Sequence, residues 1–204
     1  MNRACILYAT REGQTEKIAQ YVARTLSTAG FDSVDIRDAK DSGDGICVGD
    51  YAAMVVAASV HLGEHEPEII DFVKTHRYGL EKLPTAFLSV SLSEAGAERV
   101  SATAEQHTRF AADVEKALNK FFQQTGWTPS AVIPVAGALP YSKYNWLIRF
   151  VMKRIASKVG GDTDTSHDYE YTDWPALERF IAEFAAISSR TKVGMSAASS
   201  PVAV

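Results

Sequence analysis

The sequence predicts an α/β protein built on a five-stranded parallel sheet of order 2-1-3-4-5, with helices on both faces. Two observations predict it. Four short apolar runs, Ala4–Tyr8, Ala52–Ala58, Ala86–Val90 and Ala131–Val135, read as strands buried on both sides. Segments of helical period separate them, and that alternation requires right-handed crossovers between parallel strands.

Each element has its own signal. A fifth strand is read around Val34 and Ile36, where "DSVDIRD" alternates polar and apolar residues as an edge strand does. Ile18, Val22 and Leu26 recur every fourth residue and give the first helix, stopped at Gly30. Pro67 suits the opening turn of a second helix, with Ile69, Ile70, Phe72 and Val73 inward. Phe110, Val114, Leu118 and Phe121 mark a third, closed by Gly126. Asp173 caps a last helix carrying Leu177, Phe180, Ile181 and Phe184. From Leu92 to about Thr103 no period is visible, which predicts a long loop. The segment 188–204, rich in Ser, Ala and Val, predicts a disordered tail after one domain over 1–187.

Composition narrows the function classes. At 204 residues and 46% hydrophobic, the chain fits one domain with a sizeable core. A net charge of -4 argues against a general nucleic-acid surface. Cys5 and Cys47 form no C-x-x-C and no disulfide framework, which favours a reducing, cytoplasmic setting. No secretory signal is read, and the longest apolar stretch, "AAMVVAASV", is far too short to span a bilayer. Membrane contact, if any, is peripheral. No metal-ligand cluster is read.

The chemistry concentrates after the first strand, in "ILYATREGQTEKIAQYV". In such sheets ligands bind beyond the carboxyl ends of the strands, where Thr10 to Thr15 lies. The next helix begins near Gly13 or Gln14, so its free amides and dipole favour an anion. Thr10 and Thr15 supply hydroxyls, and Gly13 lets the backbone approach closely. There is no G-K-[ST] and no G-x-G-x-x-G after a strand, which leaves a cradle for one phosphate monoester. A capped turn without a ligand uses the same residue types.

Two further loops lie at the same edge. "ASVHLGEHEP" follows the third strand, where Ser59, Val60 and Gly63 suit close backbone approach to a planar ligand and Leu62 can cover it. His61 and His65 are the candidate proton carriers, His61 the better one. The other loop follows the fourth strand. After the fifth strand comes a helix from about Tyr144 to Val159, where Lys143, Arg149, Lys153, Arg154 and Lys158 flank or oppose an apolar face, with Trp146 and Phe150 present. That suits a membrane interface or a lipophilic acidic ligand, and equally a sheet-covering helix.

The opening stretch resembles the flavodoxin FMN-phosphate signature, with Tyr8, Thr10, Gly13, Thr15, Ala19 and Val22 in place. That resemblance implies a flavodoxin-like three-layer sandwich in which Thr10, Arg11, Glu12, Gly13, Gln14 and Thr15 wrap the phosphate of FMN. It places Ser59, Val60, His61, Leu62, Gly63, Phe87, Ser89, Val90, Ser91, Leu92 and Ala138 about the rest of the cofactor.

Later segments narrow the likeness. Trp127 with Pro129, Ala136-Gly137-Ala138-Leu139, the basic aromatic helix, Gly160-Gly161-Asp162-Thr163-Asp164-Thr165 and Tyr171-Thr172-Asp173-Trp174 resemble the flavodoxin-like, menaquinone-dependent protoporphyrinogen oxidases of haem biosynthesis. The resemblance implies oxidation of protoporphyrinogen IX to protoporphyrin IX in three two-electron steps, with electrons passed to menaquinone or ubiquinone. It implies a cytoplasmic enzyme held peripherally on the inner, anionic face of the membrane, with Arg149, Lys153 and Arg154 as substrate or membrane contacts. A homo-oligomer stays open. One departure is that the loop after the fourth strand is less basic than the family's, with Glu94, Glu98 and Glu105 against Arg99 and Arg109. The alternatives are a flavodoxin-type electron carrier, an NAD(P)H:quinone reductase and a flavin-free interaction module.

Overall fold

The computed structural model describes residues 2–42, 45–143, 150 and 163–198. The expected basic helix, with Arg149, Lys153 and Arg154, lies outside the described residues except for Phe150. Strands β1 (Arg3–Ala9), β2 (Ser33–Asp38), β3 (Ala53–His61), β4 (Glu64–His65), β5 (Thr85–Ser91) and β6 (Ala131–Ala136) form one sheet. The parallel strands run in the order β2-β1-β3-β5-β6, and β4 folds back antiparallel onto β3. Apart from that short β4, this is the expected 2-1-3-4-5 sheet.

The helices are α1 (Gln14–Thr28), α2 (Ala39–Ser42), α3 (Pro67–Leu80), α4 (Leu92–Ala97), α5 (Ala104–Thr125) and α6 (Trp174–Ala198). Strand alternation builds the two faces. Ile6, Val55 and Leu88 turn one way and bury against Ile18, Val22, Ile181 and Phe184 of α1 and α6. Leu7, Val56 and Phe87 turn the other way and bury against Ile69, Val73 and Phe121 of α3 and α5. Cys5 is a core residue, as expected, and burial pushes its thiol up to about 12, so it stays neutral.

Local chemistry sets the helix ends. Thr103 and Gln106 close a reciprocal capping box at the start of α5, and Gly126 ends that helix at φ 64. Asp173 Oδ1 accepts from the Ala176 amide at 2.9 Å, the cap expected for α6.

Two expectations are corrected. The long loop after the fourth strand opens with a helical turn, α4, capped by Ser91 through the Glu94 amide. Gly96 conceals it in the sequence, because a Cβ there would stand 2.7 Å from the Phe110 ring. The backbone that was expected to be disordered from Ser188 continues as helix to Ala198. Ser188 and Ser189 satisfy their hydroxyls within the helix, on the carbonyls of Phe184 and Ala185.

Candidate functional site

A cavity of about 690 Å³ opens at the carboxyl ends of β1, β3 and β5. That is within the range of small-molecule sites, roughly 300–1,000 Å³. Three chain segments chosen from the sequence meet there: Thr10, Arg11, Glu12, Gln14 and Thr15; Ser59 to Gly63; and Ser89 to Leu92 with Ala138.

The first segment is built to receive an anion. Gly13 precedes α1 at φ 93, and its amide donates to Thr10 Oγ1 at 2.9 Å. It shapes the turn without lining the cavity. The first-turn amides of α1 have no carbonyl a turn behind them. The Thr15 hydroxyl lines the cavity, is completely buried and has no hydrogen-bond partner among the described residues. A buried hydroxyl left without a partner costs about 1–3 kcal/mol, which an acceptor placed in the cradle would recover. Cations gather on the loop as well: Lys40 Nζ donates to the Thr10 carbonyl at 3.3 Å and Lys143 Nζ to that of Glu12. These donors fit a phosphate.

The C-terminal motif supports this loop. Gln14 donates to Thr172 Oγ1 at 2.9 Å, and that hydroxyl donates to the Ala136 carbonyl at 2.7 Å. Lys17 pairs with Glu170, and Trp174 packs on Tyr21 of α1 at 4.8 Å between ring centroids. Residues read as a family signature thus brace the start of α1.

The second segment makes the opposing wall. Leu62 and Gly63 form the tight turn from β3 to β4, at φ 52 and 78, and Leu62 stands fully exposed at the cavity lip. His61 lies between two carboxylates, its Nε2 3.2 Å from Glu12 Oε2 and 3.3 Å from Glu66 Oε1. These are ion-pair distances without hydrogen-bond alignment. Glu66 was not chosen from the sequence. Its carboxylate is 2% exposed, accepts from the Ser59 hydroxyl at 2.9 Å and meets Arg11 Nε at 3.2 Å. It therefore joins the Thr10–Thr15 loop to the β3 loop.

His65 takes a different part. Its Nε2 lies 2.9 Å from Ser89 Oγ, with the Phe87 and Phe121 rings packed around it at 5.2 and 4.9 Å. Burial brings the imidazole down from 6.5 to about 4. The unfolded chain therefore takes up a proton below pH 6.5 that the folded chain refuses until about pH 4. Stability from this group is complete above that window and falls as pH drops through it, by as much as about 3 kcal/mol. We expect the urea midpoint of the wild type to fall more steeply between pH 7 and 4.5 than that of His65→Gln. Equal slopes would contradict the neutral, buried imidazole.

Phe87 is a correction. It is fully buried and stacked on Phe121 at 4.3 Å, two residues deeper in β5 than Ser89. It packs the core and does not line the cavity. The residues that sequence reasoning missed lie mainly on α5: Asp113, Val114, Lys116, Ala117 and Lys120 form the far wall. Their spacing puts them on one helical face, a signal present in the sequence but overshadowed by the inward pattern of the same helix.

The parallel sheet, with a cavity at its carboxyl edge beside the β1–α1 turn, has the form of a flavodoxin-type domain, and the chain matches the Flavodoxin domain family over residues 5–166. That membership implies a flavin cofactor. The chain is 34% identical over 185 residues to protoporphyrinogen IX dehydrogenase [quinone] of Leishmania major, covering 91% of this chain and 75% of that protein. It is 31% identical over 188 residues to the protein of the same name from Escherichia coli strain K12, covering 92% and 97%. The chain belongs to this family of quinone-dependent protoporphyrinogen IX dehydrogenases and is an oxidoreductase. Among solved structures, the flavodiiron core of Flv1 from Synechocystis sp. PCC6803 superposes with a TM-score of 0.54 at 14% identity. That match covers 93% of this chain and 36% of the other, and it speaks for the fold alone. No described helix is long and apolar enough to cross a membrane.

Proposed function

We propose that this protein binds FMN and oxidises protoporphyrinogen IX to protoporphyrin IX for haem biosynthesis, with a membrane quinone, menaquinone or ubiquinone, as final acceptor. The observation that carries the proposal is the end-to-end likeness to the Escherichia coli enzyme, 97% of whose length is covered, joined to a cavity whose first loop fits a phosphate. In this reading Thr10, Thr15 and the first amides of α1 hold the phosphate, and Arg11, Glu12 and Gln14 shape the loop around it. The Ser59–Gly63 and Ser89–Leu92 segments, with Ala138, border the flat ring system. When bound, FMN supplies the two-electron acceptor.

His61 is the side chain best placed to carry a proton, because it lines the cavity between two carboxylates. Arg149, Lys153 and Arg154 remain the proposed contacts for an anionic membrane surface, which would hold a cytoplasmic enzyme at the inner face.

The test is anaerobic. Wild-type protein mixed with protoporphyrinogen IX and a menaquinone analogue is expected to generate porphyrin fluorescence well above a control with free FMN alone. A signal equal to that control overturns the proposal in favour of an electron carrier or a reductase.

A further inference from the structure

We infer that Lys116 and Lys120 on α5 form a carboxylate-binding rim for the substrate, on the opposite wall of the cavity from the phosphate loop. The inference rests on the proposed function and deepens it. The phosphate end has its own donors in Thr15, the α1 amides and the neighbouring Lys40 and Lys143. It follows β1, whereas α5 follows β5, two strand spacings or about 10 Å along the sheet. The α5 lysines are thus surplus to phosphate binding.

The wall they crown is amphipathic. Val114 and Ala117 are buried and line the cavity, and Leu62 offers an exposed apolar side chain at its lip. Lys116 and Lys120 stand one helical turn apart, about 6 Å along the axis. Apolar surface bounded by two ammonium groups suits a flat macrocycle bearing two carboxylate arms. Among the described residues Lys116 makes no ion pair, while Lys120 pairs with Glu64 of β4. Asp113 shares the wall, so it is not uniformly positive. Recognition therefore comes from short-range ammonium–carboxylate contact and not from a broad field. A carboxylate arm reaching Lys120 takes the place of Glu64.

Binding of the stable product tests this without requiring turnover. Protoporphyrin IX and its dimethyl ester are titrated into flavin-loaded wild type, Lys116→Gln, and the Lys116→Gln/Lys120→Gln double variant, by porphyrin fluorescence. The double variant is expected to bind the diacid roughly tenfold more weakly, with ester affinity and flavin content unchanged. Lys116→Gln, which breaks no ion pair within the described residues, is expected to show the same selectivity at smaller size. Equal weakening of acid and ester, or no weakening of the acid, overturns the rim. Acid-selective weakening in a protein that fails the anaerobic turnover test would uphold the rim and overturn the catalytic reading.

Discussion

Thr15→Val is expected to make the flavin-free protein more stable while loosening its hold on FMN. The two effects have opposite signs because one atom causes both. The Thr15 hydroxyl is completely buried and has no partner among the described residues, so replacing it with a methyl of the same shape removes an unsatisfied group. The apoprotein gains about 1 kcal/mol on that account. With a phosphate in the cradle, the same hydroxyl donates a hydrogen bond to a charged acceptor, worth about 1.5–3 kcal/mol. Affinity for FMN falls roughly ten- to hundredfold when it is lost. Thermal melting of the apoprotein and quenching of FMN fluorescence measure the two effects separately. An apoprotein that melts lower, or an unchanged dissociation constant, would show that Thr15 does not face the phosphate.

Gly13→Val gives the contrasting pattern. At φ 93 a side chain is strained, by about 1–2 kcal/mol for an ordinary residue and more for a β-branched one. Its Cβ would also come within 2.8 Å of Lys143 Nζ, although that amine sits on a flexible stem and can swing away. Backbone strain thus dominates, and this variant weakens both the apoprotein and its flavin binding.

The turn proposed to hold the phosphate was legible as a cavity-edge turn because its donors are contiguous. A strand, a glycine turn and a helix start place them by local rules alone. The sheet was legible because β1, β3 and β5 are buried on both faces and read as unbroken apolar runs. Depth was not legible. Phe87 shares its face of β5 with Ser89, so alternation alone admits it to the site. It lies about 7 Å further from the edge, under the Phe121 ring, where only the packed helix distinguishes core from cavity. The α5 lysines and Glu66 were hidden for a related reason. The lysines reach the cavity through the packing of α5, and Glu66 sits behind its wall through the β4 turn; the helical spacing of the lysines was visible, but not which side of α5 meets the cavity.

Glu66→Ala is expected to separate the two cofactor loops and release flavin faster, and Glu66→Gln to do so by a smaller amount. Glu66 is nearly sealed from solvent and meets Ser59, Arg11 and His61 from two different loops. Removing it leaves Arg11 half-exposed and free to hydrate, so the stability cost is set by the lost contacts and not by a stranded charge. That cost is about 1–3 kcal/mol. Glutamine keeps one acceptor oxygen for Ser59 but loses the charge that Arg11 and His61 share. The larger consequence is geometric. Arg11 and Ser59 both line the cavity, and without Glu66 the described side-chain ties between their loops come down to the His61–Glu12 approach and the long Ser59 hydroxyl contact with the Ala9 carbonyl. A double-mutant cycle separates this from plain destabilisation. If Glu66 acts by joining the loops, its effect on FMN dissociation should shrink once Arg11 is alanine, with a coupling of about 0.5–3 kcal/mol. If the two losses simply add, the carboxylate stabilises the fold without joining the loops, and the cavity walls are positioned by something else.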